Sequence, residues 1–171
     1  SLTLIFTEKT TEVGRLEEWI LSCPDTLPEI LKNESKLIEI PVCYDPEFAL
    51  DREEAEGYTG LGFNNIVEIH SAQDYLVYFI GFMPGFMYLG GLDRKLEMPR
   101  KDTPRLRIPA GSVGIAGLQT GIYPIESPGG WQIIGKSPAR LFDPYQPPWC
   151  PAKSGDRIKF LPISKTEFDL Y

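Results

Sequence analysis

The sequence is poor in the residues on which metal and redox chemistry usually depend. Histidine occurs once, at His70, and the three cysteines are far apart, with no Cys-x-x-Cys pair among them. A single histidine excludes a histidine-rich zinc or iron centre, and no cluster of carboxylates replaces it. The odd, scattered cysteines (Cys23, Cys43 and Cys150) are typical of reduced thiols in a cytoplasmic protein. We therefore predict a cytoplasmic chain without a metal site.

Positive charge and long apolar runs are also scarce. The chain has 17 Lys and Arg against 24 Asp and Glu, a net charge of −7. This balance argues against non-specific binding to nucleic acid or to an anionic membrane surface. No apolar stretch approaches the length of a membrane span. Much of the positive charge lies in one segment, at Arg94, Lys95, Arg100, Lys101, Arg105 and Arg107. We expect most of these side chains to be solvated and keep Arg107 as a candidate anion-binding residue.

Glycine and proline, by contrast, are abundant. Between Arg107 and Trp131 there are six glycines and three prolines, and the apolar runs between them are short. Such a stretch predicts short strands joined by tight turns. The backbone amides freed by these turns, with polar side chains beside them, can line a ligand site or a partner surface. The same glycines also suit the corners of a small β-barrel, and both interpretations stay open here.

Helical patterns are confined to the first part of the chain. We predict a strand over 1–7, a helix after Thr10 or Thr11, a strand over 36–44 interrupted by Pro41, and two further short helices. The first of these two helices is predicted to begin with an Asp51–Glu54 capping box and to end near Gly57. The second is predicted to begin at Asn64 or Asn65 and to end at His70, where a partly charged imidazole would suit the helix dipole.

From Asp74 onward the pattern is that of many short strands. Strands are predicted over 75–82, 107–108, 113–116, 122–125, 131–134, 140–142 and 156–161. The prolines of Pro144–Pro151 predict an extended covering loop. This organisation indicates a closed barrel or a sandwich.

Two motifs match known catalytic patterns only in form. Gly130–Ser137 fits the P-loop spacing, but its residues are β-prone and Pro138 follows at once, so we predict a strand with a lysine in the next turn. Ala110–Gly114 is similar to a nucleophile elbow, but an alanine replaces the first glycine and no helix is predicted to follow. His70 remains open as either a structural residue or a neutral-pH acid or base.

The segment Gly81–Gly91 combines glycine and proline with four large apolar side chains, Phe82, Met83, Phe86 and Met87. Either the loop closes one end of the barrel or it faces a partner, since an exposed apolar cluster is costly. We expect at least Phe86 to face a partner.

Several long motifs occur together and in order, namely Ile40–Tyr44, His70, Phe79–Leu92, Arg107–Ser112, Gln119–Pro124 and Glu126–Trp131. In this combination the chain strongly resembles the family of carboxyltransferase-domain proteins, subdomains C and D. That family includes the B subunit of bacterial ATP-dependent 5-oxoprolinase, the KipI inhibitor of a histidine kinase, and proteins named allophanate hydrolase subunit 1. The resemblance covers nearly the whole chain from Lys36.

The resemblance implies an α+β fold, with a cyclophilin-like β-barrel preceded by the remnant of a small α/β domain. Residues 1–35 are expected to be the C-terminal part of that first domain, several dozen residues of which would be missing, and residues 36–171 the barrel.

The resemblance also implies an activity. We expect a subunit of an ATP-dependent 5-oxoprolinase, a hydrolase that converts 5-oxoproline, ATP and water to glutamate and is inactive without its companions. The expected partners are a carboxyltransferase-like subunit and a third, lactam-hydrolase subunit, with ATP bound by another subunit. The alternatives are a KipI-type kinase inhibitor and a subunit of a biotin-dependent urea carboxylase or allophanate hydrolase system. Biotin is expected only in the latter.

The expected site residues follow from the shared motifs and from side-chain chemistry. The catalytic candidates are His70, Gln119, Thr120 and Tyr123. The substrate-binding candidates are Arg107, Ser127, Gly129 and Trp131, with the guanidinium of Arg107 holding a carboxylate. The expected partner interface comprises Phe82, Pro84, Phe86 and Tyr88.

Overall fold

A computed structural model describes residues 35–171, together with Glu18, Leu21 and Ser22. The chain divides into two compact units, residues 1–33 and 34–171, and the barrel belongs to the second. The strand predicted over 1–7 and the N-terminal end of the helix predicted after Thr10 or Thr11 lie outside the described residues. The α/β remnant expected over 1–35 therefore stays a prediction.

Within the described part of the chain, seven strands close into a barrel in the order β1-β8-β5-β6-β3-β2-β9. A separate two-stranded sheet pairs β4 with β7. The strands are β1 Leu37–Cys43, β2 Asp74–Ile80, β3 Met87–Gly90, β4 Arg105–Ile108, β5 Ser112–Ala116, β6 Gln119–Ile122, β7 Ser127–Gly129, β8 Gln132–Lys136 and β9 Arg157–Ile163.

Within residues 35–171, three α-helices and a 3₁₀ turn accompany the strands. They are α1 Arg52–Thr59, α2 Phe63–Ala72, the 3₁₀ turn Arg94–Leu96 and α3 Lys165–Phe168. The predicted α+β barrel is thus confirmed. No helix among the described residues has the length and apolar character needed to cross a membrane.

The barrel closes through a parallel pair. Strand β1 runs parallel to β9 along its whole length, from Leu37 opposite Arg157 to Cys43 opposite Ile163. On its other side β1 pairs with β8 at Cys43. Because that second side is mostly free of ladder pairing, Pro41 is tolerated in the strand without a backbone donor. The remaining barrel pairs are antiparallel.

The strand pattern is confirmed over most of the barrel, but it differs from the sequence prediction at four places. The strand predicted over 122–125 is displaced, because β6 spans Gln119–Ile122 and shares only Ile122 with it. Strand β3 lies inside the segment expected to be a loop, and β7 has no counterpart among the predicted strands. Residues 140–142, predicted to be a strand, have no regular structure. Both missed strands are short and are specified by their partners: β3 lies between β2 and β6, and β7 pairs with β4.

Two apolar clusters form on opposite faces of the barrel wall. Successive residues of β8 show the division, since Ile134 joins the main cluster and Ile133 joins the second. This alternation follows from the two-residue period of a strand. The second cluster contains Phe86, Ile108, Ala116, Tyr123, Trp131 and Ile133, with Met83 and Tyr88 packed against it. Strand β4 contributes Ile108, so the small sheet takes part in this second cluster.

The predicted capping box at the start of α1 is wrong. Asp51 precedes the helix but makes no side-chain capping bond. Its carboxylate instead accepts hydrogen bonds from Lys101, Arg105 and the backbone N–H of Ile133. Long-range partners of opposite charge therefore outcompete the local cap. Helix α2 also differs, because it begins after Gly62 and continues past His70 to Ala72.

Candidate functional site

An aromatic pocket opens beside the second apolar cluster and is the best candidate site in the described structure. It has a volume of about 340 Å³ and is lined by Phe82, Phe86, Tyr88, Arg100, Pro104, Tyr123, Pro128, Gly129, Gly130 and Trp131. Six of the predicted site and interface residues meet here: Phe82, Phe86, Tyr88, Tyr123, Gly129 and Trp131. Pockets of a few hundred Å³ lined by aromatic side chains with few polar groups are typical of small-molecule sites.

Phe86 is the centre of the aromatic lining. Its ring makes edge contacts with Tyr88, Tyr123 and Trp131, at centroid distances of 4.8, 5.2 and 5.4 Å. Edge-to-face pairs of this kind are favoured because the positive edge of one ring meets the negative face of another. Only 1% of Phe86 is exposed. The expectation that Phe86 faces a companion subunit is therefore wrong, because its ring is already buried within this chain.

Phe82 is the exposed aromatic residue at the pocket. It is 64% exposed and its ring lies 5.7 Å from that of Phe86. Its backbone has a φ of 70°, in the left-handed region that bulky residues rarely adopt. Pro84 is also exposed, and Tyr88 is half-buried with its ring stacked 4.2 Å from that of Phe79. Phe82, Pro84 and Tyr88 remain accessible in part, as a role at an interface would require.

Two glycines make room for the aromatic rings. A side chain at Gly121 would come within 3.1 Å of both Phe86 and Trp131, and within 2.8 Å of a backbone oxygen. A side chain at Gly129 would collide with the Tyr123 hydroxyl and would lie 2.8 Å from Ile108. The absence of a Cβ at these two positions is what allows the rings to pack against the strands.

Tyr123 brings a hydroxyl group to the aromatic lining. Burial raises the pKa of Tyr123 to about 12, although a hydrogen bond with the Trp131 backbone and the positive charge of Arg100 both act to lower it. The phenol is therefore protonated at neutral pH and serves as a hydrogen-bonding group rather than as a base.

The segment that carries Arg100 is fixed by a buried ionic cluster centred on Asp51. Asp51 is fully buried and lies 2.6 Å from Lys101 Nζ and 2.6 and 2.7 Å from the two terminal nitrogens of Arg105. Its carboxylate also accepts from Ile133 N–H at 2.7 Å. Burial favours a raised pKa, but the hydrogen bonds from Arg105, Ile133 and Lys101 outweigh it, so the pKa of Asp51 is lowered. The ionised carboxylate joins α1, β4 and β8 at one point.

His70 lies away from this pocket, in the main apolar cluster. It is fully buried and its ring stacks on Phe160 at 4.7 Å. Burial lowers the pKa of His70 to about 3, so the imidazole is neutral. The prediction of a partly charged histidine at a helix end is therefore wrong, because α2 packs this residue into the barrel core.

The hydrogen bonds of His70 define its tautomer. Thr120 Oγ1 donates its one hydrogen to the Gly114 carbonyl at 3.0 Å. It therefore accepts a hydrogen bond from the Nε2–H of His70 at 2.9 Å. His70 Nδ1 then accepts from the Tyr44 hydroxyl at 2.8 Å. Both ring nitrogens are occupied, and neither His70 nor Thr120 reaches the pocket. This arrangement explains a structural role and leaves no nitrogen free for proton transfer.

The other predicted site residues lie around the pocket rather than in it. Arg107 is 78% exposed and pairs with Glu126 at 2.7 Å. Gln119 is half-buried on β6. Ser127 lies on β7, and its buried hydroxyl has no hydrogen-bond partner among the described residues. The predictions for Arg107, Gln119 and Ser127 remain predictions, but the structure does not place these side chains in the pocket lining.

Sequence reasoning missed Arg100 and the Asp51 cluster. Arg100 lies within the basic segment that we expected to be solvated, and the composition of that segment does not single it out. The local spacing of Asp51 and Glu54 favoured a helix cap, so there was no reason in the sequence to predict that Asp51 forms buried ion pairs. In the described part of the chain, no group of three or more His, Cys, Asp or Glu side chains could hold a metal ion.

The fold defines the class of this protein as a closed β-barrel domain with a second apolar cluster on the outside of the barrel wall. The chain belongs to the carboxyltransferase domain family, subdomain C and D, whose model matches residues 1–152. Among curated relatives, the 5-oxoprolinase B subunit of Bacillus subtilis is 49% identical over 136 residues, covering 80% of this chain and 57% of that protein. The 5-oxoprolinase B subunit of Escherichia coli O157:H7 is 47% identical over 150 residues, covering 88% of this chain and 66% of that protein.

Solved structures share the fold of this chain. A conserved uncharacterized protein from Pyrococcus horikoshii is 54% identical, with a TM-score of 0.75 over 82% of this chain and 64% of that one. The urea carboxylase of Kluyveromyces lactis is 19% identical, with a TM-score of 0.68 over 80% of this chain and 14% of that one, a likeness that shows the fold alone. The chain spans 57 to 66% of the length of the curated relatives it matches.

Proposed function

We propose that this chain is the barrel part of the B subunit of an ATP-dependent 5-oxoprolinase. The complex would convert 5-oxoproline, ATP and water to glutamate. The observation that carries the proposal is the 47 to 49% identity to three proteins named as the B subunit of 5-oxoprolinase, over 72 to 88% of this chain. The aromatic pocket agrees with this function, because its volume and lining suit a small molecule.

We place the ATP site on another subunit. The Gly130–Ser137 stretch, which fits the P-loop spacing, is mostly strand β8, and in the described chain it is not followed directly by a helix. Lys136 Nζ lies 5.5 Å from the ring centroid of Phe48 and 5.8 Å from that of Phe168. A P-loop lysine must instead reach nucleotide phosphates beside a helix N-terminus. In this proposal the chain contributes a binding surface and a pocket to the complex and is inactive alone.

The partners in this proposal are a carboxyltransferase-like subunit and a lactam-hydrolase subunit. Exposed aromatic residues at the pocket provide a surface on which such a partner can dock. Phe82, in the lining, is 64% exposed, and Phe79, whose ring stacks on that of Tyr88, is 42% exposed. Aromatic side chains are enriched at protein interfaces, where their burial contributes strongly to affinity. The free thiols of Cys43 and Cys150 are consistent with a cytoplasmic location.

A growth experiment tests the proposed activity. A bacterium deleted for its own 5-oxoprolinase subunits would receive the full-length protein together with its companion subunits, and 5-oxoproline would be the only nitrogen source. Growth is expected with the complete set and not with the set that lacks this protein, whereas glutamate should support both strains. Equal growth on 5-oxoproline with and without this protein would refute the proposal.

A further inference from the structure

We propose that the aromatic pocket binds a small ring that carries a carboxylate, with the Arg100 guanidinium as the contact for the carboxylate. This inference rests on the proposed function, in which such a ring is the substrate, and it assigns a place and an anion-binding residue to that substrate. It replaces Arg107, the sequence-based candidate, with Arg100.

The shape and chemistry of the lining favour a ring. Tyr88 is partly accessible, and the buried rings of Phe86, Tyr123 and Trp131 pack behind the surface, so the wall that a ligand would meet is aromatic and mostly apolar. Such a wall suits a compact cyclic molecule without requiring a chain of polar partners. The volume of about 340 Å³ lies at the small end of the range for ligand pockets. The Tyr123 phenol behind this wall is protonated, because burial raises its pKa, so it places no negative charge beside the pocket.

The charge of the pocket favours an anion. Arg100 is the charged residue of the lining, and none of the described lining residues is acidic. Within the described part of the chain, Arg100 forms no ion pair, whereas Arg105 pairs with Asp51 and Arg107 with Glu126. A guanidinium without a carboxylate partner, next to an apolar lining, offers a fork of donors that matches a carboxylate. Arg100 is exposed and belongs to the basic segment of a chain whose net charge is −7.

The backbone on both sides of Arg100 is held in place. The Pro99 carbonyl accepts from Gln132 Nε2 at 3.1 Å, and the Lys101 N–H donates to the Gly130 carbonyl at 2.7 Å. The Lys101 side chain is bound in turn to buried Asp51. These contacts tie the segment to β8 and to the turn between β7 and β8. Because the backbone that carries Arg100 is fixed, only the Arg100 side chain has to be ordered when a ligand binds, which lowers the entropic cost of binding.

Isothermal titration of the full-length protein with 5-oxoproline tests this inference, with 2-pyrrolidinone as the same ring without a carboxylate. We expect 5-oxoproline to bind at least about tenfold more tightly than 2-pyrrolidinone, since a charge-assisted contact contributes roughly that much. Arg100→Gln should weaken 5-oxoproline binding about tenfold and leave 2-pyrrolidinone binding unchanged. Arg100→Lys should have an intermediate effect, because it keeps the charge and loses the fork.

Arg94→Gln is the matched control, since Arg94 is exposed on the neighbouring 3₁₀ turn and does not line the pocket. Thermal melting of each variant separates lost binding from lost folding. The same titrations, and the KM for 5-oxoproline, are repeated with the assembled complex, so that a site completed by a companion is also tested.

The outcomes separate this inference from the proposed function. If the complex hydrolyses 5-oxoproline but Arg100→Gln leaves both affinity and KM unchanged, the pocket assignment is wrong and the proposed function stands. If the complex does not hydrolyse 5-oxoproline but this protein still binds it, and Arg100→Gln weakens that binding, the proposed function is wrong. The inference that the pocket binds a ring with a carboxylate is then supported. An Arg100→Gln variant that binds 5-oxoproline normally and loses its companion subunits instead would make this face an interface and overturn the inference.

Discussion

Asp51→Asn should be among the most destabilising conservative substitutions in the barrel. It keeps the shape of the side chain but removes the charge that Lys101 and Arg105 share. The carboxylate is fully buried and takes part in four contacts of 2.6 or 2.7 Å. An asparagine has one acceptor oxygen and would turn its NH₂ group toward at least one of the cations.

The expected cost follows from the burial of this cluster. Removing one partner of a buried ion pair typically costs 3–5 kcal/mol, because the remaining charge is left uncompensated. Lys101 and Arg105 are 19% and 26% exposed and can partly rehydrate, so we expect the lower end, about 3 kcal/mol. For a unit of this size that loss lowers the Tm by roughly 6–12 °C.

The effect should depend on pH with a defined sign. Because the pKa of Asp51 is lowered in the folded state, its ionised form stabilises the fold at every pH above the unfolded value of 3.8. That stabilisation is lost as the pH falls below 3.8 through the folded pKa. The difference between wild type and Asp51→Asn should therefore be constant near neutral pH and shrink in acid.

Urea denaturation of both proteins at several pH values measures this difference. Glu54→Gln is the control, because Glu54 is 47% exposed and lies 3.4 Å from the same lysine. An exposed pair of this kind contributes about 1 kcal/mol or less. An Asp51→Asn variant within about 1 kcal/mol of wild type, or no more affected than Glu54→Gln, would refute the view that the buried cluster fixes the Arg100 segment.

Three further predictions concern Phe86, His70 and Lys136. Phe86→Ala should lower the free energy of unfolding by about 3–5 kcal/mol and Phe82→Ala by less than about 1 kcal/mol, so equal urea midpoints for the two variants would place Phe86 outside the core. The His70 ring should show no protonation by NMR between about pH 5 and 8, because burial lowers its pKa to about 3. The free energy of unfolding should accordingly fall as the pH drops from 6.5 toward 3, because His70 is protonated in the unfolded chain but stays neutral in the folded one. A titration midpoint near 6.5 in the folded protein would contradict this. Lys136→Ala should leave ATP turnover of the assembled complex essentially unchanged, and a large loss with assembly intact would show that Lys136 contacts the nucleotide.

The barrel could be predicted because its pattern is local. Short apolar runs between glycines and prolines fit strands of a few residues, and most of these runs are strands in the structure. Strand β3 was not predicted, because its four residues come shortly after Pro84 and Gly85, which favour a loop. The pairing of Met87 with Ile122 and of Leu89 with Val77 gives β3 its conformation, and no local pattern contains that information.

The pocket could be predicted only in part. Tyr123, Gly129 and Trp131 lie in the glycine-rich stretch that ends at Trp131, and they do meet at the pocket. Arg100 could not be distinguished from its basic neighbours, because that distinction depends on which arginines find an acidic partner in the folded chain. Asp51 has its partners 50 to 82 residues away, so its local spacing with Glu54 was misleading.

The most direct test of the central claim is the formation of glutamate by purified subunits. The full-length protein, its two companions, ATP and 5-oxoproline would be combined, and glutamate and phosphate would be measured together. We predict that both products form with the complete set, that neither accumulates above background when this protein is omitted, and that adding it back restores the rate. Full glutamate formation by the companions alone would contradict the proposed role of this chain.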